Sequence, residues 1–230
     1  MKKIGLLGGM SWESSANYYK IINKEIKRQL GGLHSAKIVL NSVDFEPIEQ
    51  LQHKGDWAGT AEILATEAKA IEDAGADFLL ICTNTMHKVA SDIEKYISIP
   101  IIHIADATAQ TLIKDGVKKV GLLGTAFTME QDFYKGRLKD KFDLDVIIPN
   151  EQDRNVVHNV IYQELCQGIT KESSKREYLK IMHSLVNNGA EAIILGCTEI
   201  AMLINQKDIE TKLYDTTTIH ALKTVEEALR

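Results

Sequence analysis

Two pairs of short segments repeat along this chain at nearly one spacing, and that repetition limits the folds open to it more than any other feature. "IGLLGG" begins at Ile4 and "VGLLGT" at Val120, 116 positions on; "GADFLLICTNT" begins at Gly75 and "GAEAIILGCTE" at Gly189, 114 positions on. One such match is easily chance. Two at nearly one offset point to duplicated halves, with strands opening them near residues 4 and 120.

Along both halves, short apolar runs alternate with longer amphipathic ones. Strands are expected at Lys3–Leu7, Lys37–Val43, Phe78–Ile81, Ile101–Ile102, Val120–Leu123, Leu144–Ile148, Ala192–Leu195 and near Leu213–Tyr214. Helical patterns include Trp57–Ala74, Met86–Tyr96, Ala105–Asp115, Asn155–Cys166, Ser173–Asn187 and Thr218–Leu229. Strands apolar on both faces and separated by helices belong to parallel sheets covered by helices. The expected fold class is therefore α/β: two similar lobes, each a parallel sheet flanked by helices and related by pseudo-two-fold symmetry. The first lobe is expected at 1–100 plus 215–230, with helix Thr218–Leu229 returning to it, and the second at 101–214.

Composition narrows the partners. At 230 residues and 44% hydrophobic, the chain can bury one large core or two small ones. A net charge of -5 and a pI near 5.8 argue against a nucleic-acid or anionic-membrane binder, which would be basic. No apolar run reaches the roughly 18 residues of a spanning helix. "MKKIGLLGGMSWESS" starts like a signal peptide but turns polar at Ser11, so it reads as a first strand. Three widely spaced cysteines make no disulfide framework, and a reduced, cytoplasmic setting is expected.

The repeat also selects the residues for chemistry. With Gly75-Ala76 aligned on Gly189-Ala190, Cys197 falls opposite Thr83, and Gly196 opposite Cys82. Pairing the two cysteines instead would break the Gly-Ala match and reverse the faces of the strand, because side chains alternate along it. Thr83 is thus the residue expected to face a ligand, and Cys82 the one expected to pack. Cys197 ends an apolar run and precedes the helical pattern "TEIAMLI", where free N–H groups and the helix dipole would favour thiolate. Ligands of open α/β sheets gather at such carboxyl ends of strands.

Asn84 and Thr85 after Thr83, with Thr198 and Glu199 after Cys197, occupy matching turns that can hold a carboxylate, as helix N-termini hold anions. The plainer alternative is N-capping. "GLLGGM" lacks the Rossmann glycines, since Leu7 and Met10 stand where two are needed, and better suits a tight turn beside a small ligand. The seven histidines show no metal-ligand spacing and no Cys-x-x-Cys occurs, so no metal site is expected. His87 reads more readily as a surface histidine than as a group supporting Thr83. Cys166 reads as a core or helix-end residue. Trp12 is a pocket cap or, equally, a core or interface tryptophan.

"GLLGGMSWES", "TNTMH" at Thr83, "HIADAT" at His103, "GLLGT" at Gly121, "LGCTEI" at Leu195 and "DTTTIHA" at Asp215 together resemble the aspartate/glutamate racemase family, in the family's order and over nearly the whole chain. The likeness is greatest to the L-aspartate/glutamate-specific, or broad-specificity, subgroup. It implies two α/β lobes with the active site between them, a homodimer, a small amino-acid substrate, and no pyridoxal phosphate or other cofactor. It implies a two-base reaction in which one group removes the α-proton and another returns a proton to the opposite face. Most family members place a cysteine before Asn-Thr in the first lobe. Here that position is Thr83, so the pair Cys197 and Thr83 is unequal: an alkanol is far too weak an acid to rest ionised. Met10, Ser11, Trp12, Gln52, Asn84, Thr85, Thr198 and Glu199 are the expected substrate-binding residues. Gln52 stands where many relatives have a cation. Other readings are a racemase not preferring acidic substrates, a non-catalytic amino-acid binder, and a lyase using Cys197 alone.

Overall fold

The computed structural model describes all 230 residues and divides into two compact units, Met1–Ile104 with His220–Arg230 and Ala105–Ile219. Each is an α/β layer structure built on a parallel sheet.

The first unit runs β1 (Ile4–Gly8), α1 (Trp12–Leu30), β2 (Ile38–Ser42), α2 (Phe45–Lys54), α3 (Trp57–Asp73), β3 (Phe78–Ile81), a 3₁₀ segment at Thr85–Val89 and α4 (Ala90–Ile93). Its strands pair in parallel in the order β2-β1-β3, and a bridge from Leu79 to Ile101 extends the edge. All residues of β1 and β3 are buried, as expected of strands covered on both faces. One face packs on Leu64, Ala68 and Ile71 of α3. The other packs on Tyr18, Ile22 and Ile26 of α1 and on Ala221, Val225 and Ala228 near the C-terminus. The spacing of Tyr18, Ile22 and Ile26 keeps those side chains on one helix face.

The second unit contains β4 (Lys119–Leu123), α6 (Ala126–Glu130), α7 (Asp132–Phe142), β5 (Asp145–Ile147), α8 (Glu151–Gln163), a 3₁₀ turn at Leu165–Gln167, α9 (Glu172–Asn187), β6 (Ala192–Leu195), α10 (Ile200–Leu203) and β7 (Lys212–Asp215). Helices α5 (Ile104–Lys114) and α11 (Thr216–Leu229) run across the two boundaries between units. The sheet order is β5-β4-β6-β7, all parallel.

The repeat is a repeat of structure. Ile4 pairs with Phe78 in the first sheet, and Val120 with Ala192 in the second. The helix-to-strand turns match too. Gly75 and Gly189 both have positive φ, where L side chains are strained. Lys3 Nζ donates to Ala74 O and Lys119 Nζ to Asn188 O, while Asp77 and Glu191 accept from the backbones of Lys3 and Lys118.

Two expectations change. Ile101–Ile102 supplies a bridge and no strand, and Met86–Tyr96 is a 3₁₀ segment followed by one α-turn rather than a single helix. Helices α1, α2, α6 and α7 were not among the helical patterns singled out from the sequence.

Candidate active site

The first group of residues lies at the carboxyl ends of β1 and β3. After β1 the chain turns through Gly9, whose φ is +96 and where a Cβ would stand 2.3 Å from Val43 O, so only glycine fits. Ser11 then caps α1, its side chain accepting from Ser14 N. Ser15 Oγ takes the Gly9 N–H at 2.8 Å and donates to Ser11 O at 2.9 Å, and the Met10–Ser11 peptide is cis. Ser14 Oγ donates to Cys82 O, tying this turn to the end of β3. Met10 and Ser11 are buried, whereas Trp12 is 67% exposed, so the core alternative for that tryptophan does not hold.

Cys82 and Thr83 separate as the strand alternation requires. Cys82 N donates to Leu7 O, and the thiol is fully buried among Ile4, Leu6, Phe78 and Leu80. Burial pushes its pKa far above the ordinary thiol value. Thr83 is only half-buried. In the second unit Gly196 N donates to Leu123 O, the same bond at the repeat position. A Cβ on Gly196 would meet Leu123 O and Leu122 Cδ1, both at 2.8 Å, so this position tolerates no side chain. The residue after it is Cys197.

Around Cys197 the contacts are short and polar. Its Sγ donates to Glu199 Oε2 at 2.9 Å, and Thr198 Oγ1 donates to the same oxygen at 2.7 Å. All three residues are buried. The expected thiolate stabilisation by a helix N-terminus is corrected here. Helix α10 is a single turn of four residues, and the thiol pKa is pushed well above its usual value, first by burial and then by the Glu199 charge. Cys197 Sγ, donating its hydrogen to the Glu199 carboxylate, is thus held as a thiol.

The capping alternative also receives no support at Asn84 and Glu199. Both occupy N-cap positions, and neither side chain makes a capping hydrogen bond. Asn84, Thr85 and Thr198 are buried. Gln52, on α2, is 2% exposed, and its Oε1 accepts no hydrogen bond, which is costly unless a donor reaches it. Two residues bear on the site beyond those expected to line it, one not considered from the sequence and one read more readily as a surface residue. Thr217 Oγ1 is buried without a partner in the first turn after β7, which pairs Asp215 with Leu195 two residues before Cys197. His87 is not at the surface but 3% exposed, with its ring nitrogens bonded to Thr83 O and Ile104 N. The signal for Thr217 was the "DTTT" run after a strand; for His87 it was the four-residue spacing from Thr83, over which the surface reading was preferred.

Cys166 lies at a helix end, half-buried in the 3₁₀ turn after α8. No helix is long and apolar enough to cross a membrane. No three His, Cys, Asp or Glu side chains are grouped so as to hold a metal ion.

Comparison with known proteins places these residues in context. The family model described as Asp/Glu/hydantoin racemase matches residues 7–224. A crystal structure of a protein from Yersinia pestis, assigned as an Asp/Glu racemase, is 52% identical, covers both chains completely and superposes with a TM-score of 0.94. An aspartate racemase homologue from Pyrococcus horikoshii is 34% identical, again over the whole of both chains, with a TM-score of 0.85. The broad-specificity amino-acid racemase RacX of Bacillus subtilis is 24% identical over 69% of this chain and 67% of its own length. The two units reproduce the two-lobed racemase fold, with a parallel sheet in each. The chain belongs to the Asp/Glu/hydantoin racemase family and is an amino-acid racemase, an isomerase.

Proposed function

We propose that this racemase interconverts L- and D-aspartate and L- and D-glutamate by two-base α-proton transfer, using Cys197 and Thr83 as an unequal pair. The observation that carries the reading is the matched register. Cys82 N and Gly196 N make the same bond to Leu7 O and Leu123 O, so Thr83 and Cys197 are equivalent positions occupied by groups of very different acidity.

Cys197 acts on the L-enantiomer. Before it can do so the thiol must lose its proton, and Glu199 Oε2, already its hydrogen-bond acceptor, is the group that takes it. The thiolate then removes the α-hydrogen, leaving a planar carbanion whose charge is stabilised by donors around the substrate carboxylate. Thr83 delivers a proton to the opposite face. Because its hydroxyl cannot rest ionised, it gives up that proton only as it receives another from solvent.

Met10, Ser11, Trp12, Asn84, Thr85, Thr198 and Glu199 surround the substrate in this reading. Gln52 contacts the substrate through its amide oxygen Oε1, an acceptor with no partner within the protein that takes a hydrogen bond from the substrate's ammonium group and not from a carboxylate. The reaction needs no cofactor, and activity is expected to survive dialysis against chelator. The working form is a homodimer in the cytoplasm, as the family resemblance implies.

One observation favours a second reading, a racemase without preference for acidic substrates: Gln52 is neutral where recognition of a distal carboxylate would be served by a cation. The test is incubation of the protein with single enantiomers of aspartate, glutamate and a panel of neutral and basic amino acids in D2O. Appearance of the opposite enantiomer with α-deuterium, fastest for aspartate and glutamate, supports the proposal. Equal rates across the panel select the broad-specificity reading, and no racemisation of any amino acid sinks both.

A further inference from the structure

His87 is buried within the first unit, and both ring nitrogens are bonded. Nδ1 stands 2.8 Å from Thr83 O, and Ile104 N donates into Nε2 at 3.2 Å. A backbone N–H can only donate, so Nε2 carries no proton, and Nδ1–H therefore donates to the Thr83 carbonyl. The ring is neutral and its tautomer fixed. Protonating Nε2 would set a donor against the Ile104 N–H.

The ring is also walled in. Its centroid lies 4.5 Å from that of His103 and 5.8 Å from that of His220. His220 is itself fixed, Nε2 donating to Ile102 O at 2.7 Å and Nδ1 accepting from Tyr18 Oη at 2.9 Å. Tyr18 on α1, His220 on α11 and the Ile102–Ile104 segment thus hold one imidazole against one carbonyl.

That carbonyl belongs to the residue whose hydroxyl is the weak member of the pair. The second unit has no equivalent clamp. At the 114-residue offset of the repeat, position 87 corresponds to Ala201, an exposed methyl group. The segment that carries the strong acid goes without a ring, and the segment that carries the weak one has it.

We propose that His87 is a positioning residue for Thr83, holding the turn after β3 through its Nδ1–H bond to the Thr83 carbonyl so that the hydroxyl meets the carbanion in line. This rests on the racemase reading above. A group that cannot ionise depends wholly on placement, and a misplacement of about 1 Å can cost on the order of a hundredfold in rate. Loss of the clamp therefore slows proton delivery at the Thr83 face while leaving proton removal by Cys197.

The experiment compares α-deuterium wash-in from L-glutamate and L-aspartate with their racemisation, in wild type, His87→Phe and His87→Gln. Two-bond ¹H–¹⁵N spectra of the wild-type imidazole rings accompany it. His87→Phe is expected to raise the ratio of wash-in to racemisation at least about tenfold. His87→Gln, whose amide can donate to Thr83 O and accept from Ile104 N, is expected to return the ratio to within about threefold of wild type. The wild-type spectrum is expected to show Nδ1 protonated and Nε2 bare at neutral pH. A merely structural role would lower both rates together and leave the ratio unchanged, which overturns the proposal. So does an Nε2–H tautomer or an imidazolium, a result that stands even where His87→Phe fails to fold. A wild type that neither exchanges nor racemises any amino acid removes the racemase reading and the positioning role together, whereas an active wild type with an unmoved ratio removes the role alone.

Discussion

Cys197 Sγ donates to Glu199 Oε2 across 2.9 Å, so the thiol is bonded to the carboxylate that makes its own ionisation harder. Thr198 Oγ1 donates to the same oxygen and holds it in place. The arrangement keeps the thiol protonated at rest and sets an acceptor beside it.

Removing the carboxylate charge separates these two effects. In Glu199→Gln the burial cost on the thiolate remains but the repulsion from Glu199 is gone, so the Cys197 pKa falls towards the ordinary thiol value. Alkylation of Cys197 by iodoacetamide at pH 8 is expected to quicken several-fold while racemisation slows about tenfold or more. Slower alkylation would show that the carboxylate assists ionisation.

The two cysteines nearest the strand ends should respond oppositely to substitution. Cys197→Ser is expected to leave the fold intact and reduce turnover by about a thousandfold or more, because a serine hydroxyl cannot replace a thiolate base. Cys82→Ala leaves a small void among Ile4, Leu6, Phe78 and Leu80, costing about 1–2 kcal/mol of stability with activity largely retained. Thermal denaturation and initial rates on both variants check the contrast. An activity loss in Cys82→Ala as deep as that in Cys197→Ser would contradict the placement of Cys82 in the core.

The equivalence of the two halves was legible in the sequence because it rests on local pattern: the Gly-Ala turns at 75 and 189, and the apolar runs that follow them. The separation of Cys82 from Thr83 followed from strand alternation alone. The acidity of Cys197 was not legible, since it depends on burial and on how short α10 is, neither of which "TEIAMLI" reveals. His87 looked like a surface residue because its partner at Ile104 lies far along the chain and its neighbour His220 at the other end. Helix α1 was passed over because its apolar stripe is only Tyr18, Ile22 and Ile26 within a largely polar run.

His220 gives stability a specific acid limb. Burial pushes its pKa down from 6.5 to about 4. The unfolded chain therefore binds a proton below pH 6.5 that the folded chain refuses until near pH 4. Stability from this group is complete above pH 6.5 and is lost as pH falls towards 4, by about 3 kcal/mol in all. In His220→Gln, which can keep the bonds to Tyr18 and Ile102, the slope of unfolding free energy against pH across that window is expected to flatten by up to one proton. Urea titrations at several pH values read it directly, and an unchanged slope would place the buried charge penalty elsewhere.

The central claim is that Cys197 and Thr83 are an unequal pair, and deuterium wash-in with each pure enantiomer of aspartate and glutamate tests it most directly. Equilibrium holds the ratio of forward to reverse kcat/KM at unity for enantiomers, so the inequality must show in exchange, in separate kcat and KM values, or in slow reversal at assay concentrations. The account predicts that wild-type protein exchanges the α-proton of the L-substrate faster than it racemises it and faster than it exchanges the D-substrate. It also predicts that Thr83→Cys raises D-substrate exchange about tenfold or more. Wild-type exchange of the D-substrate as fast as the L-substrate, or a Thr83→Cys variant that leaves D-substrate exchange unmoved, would contradict it.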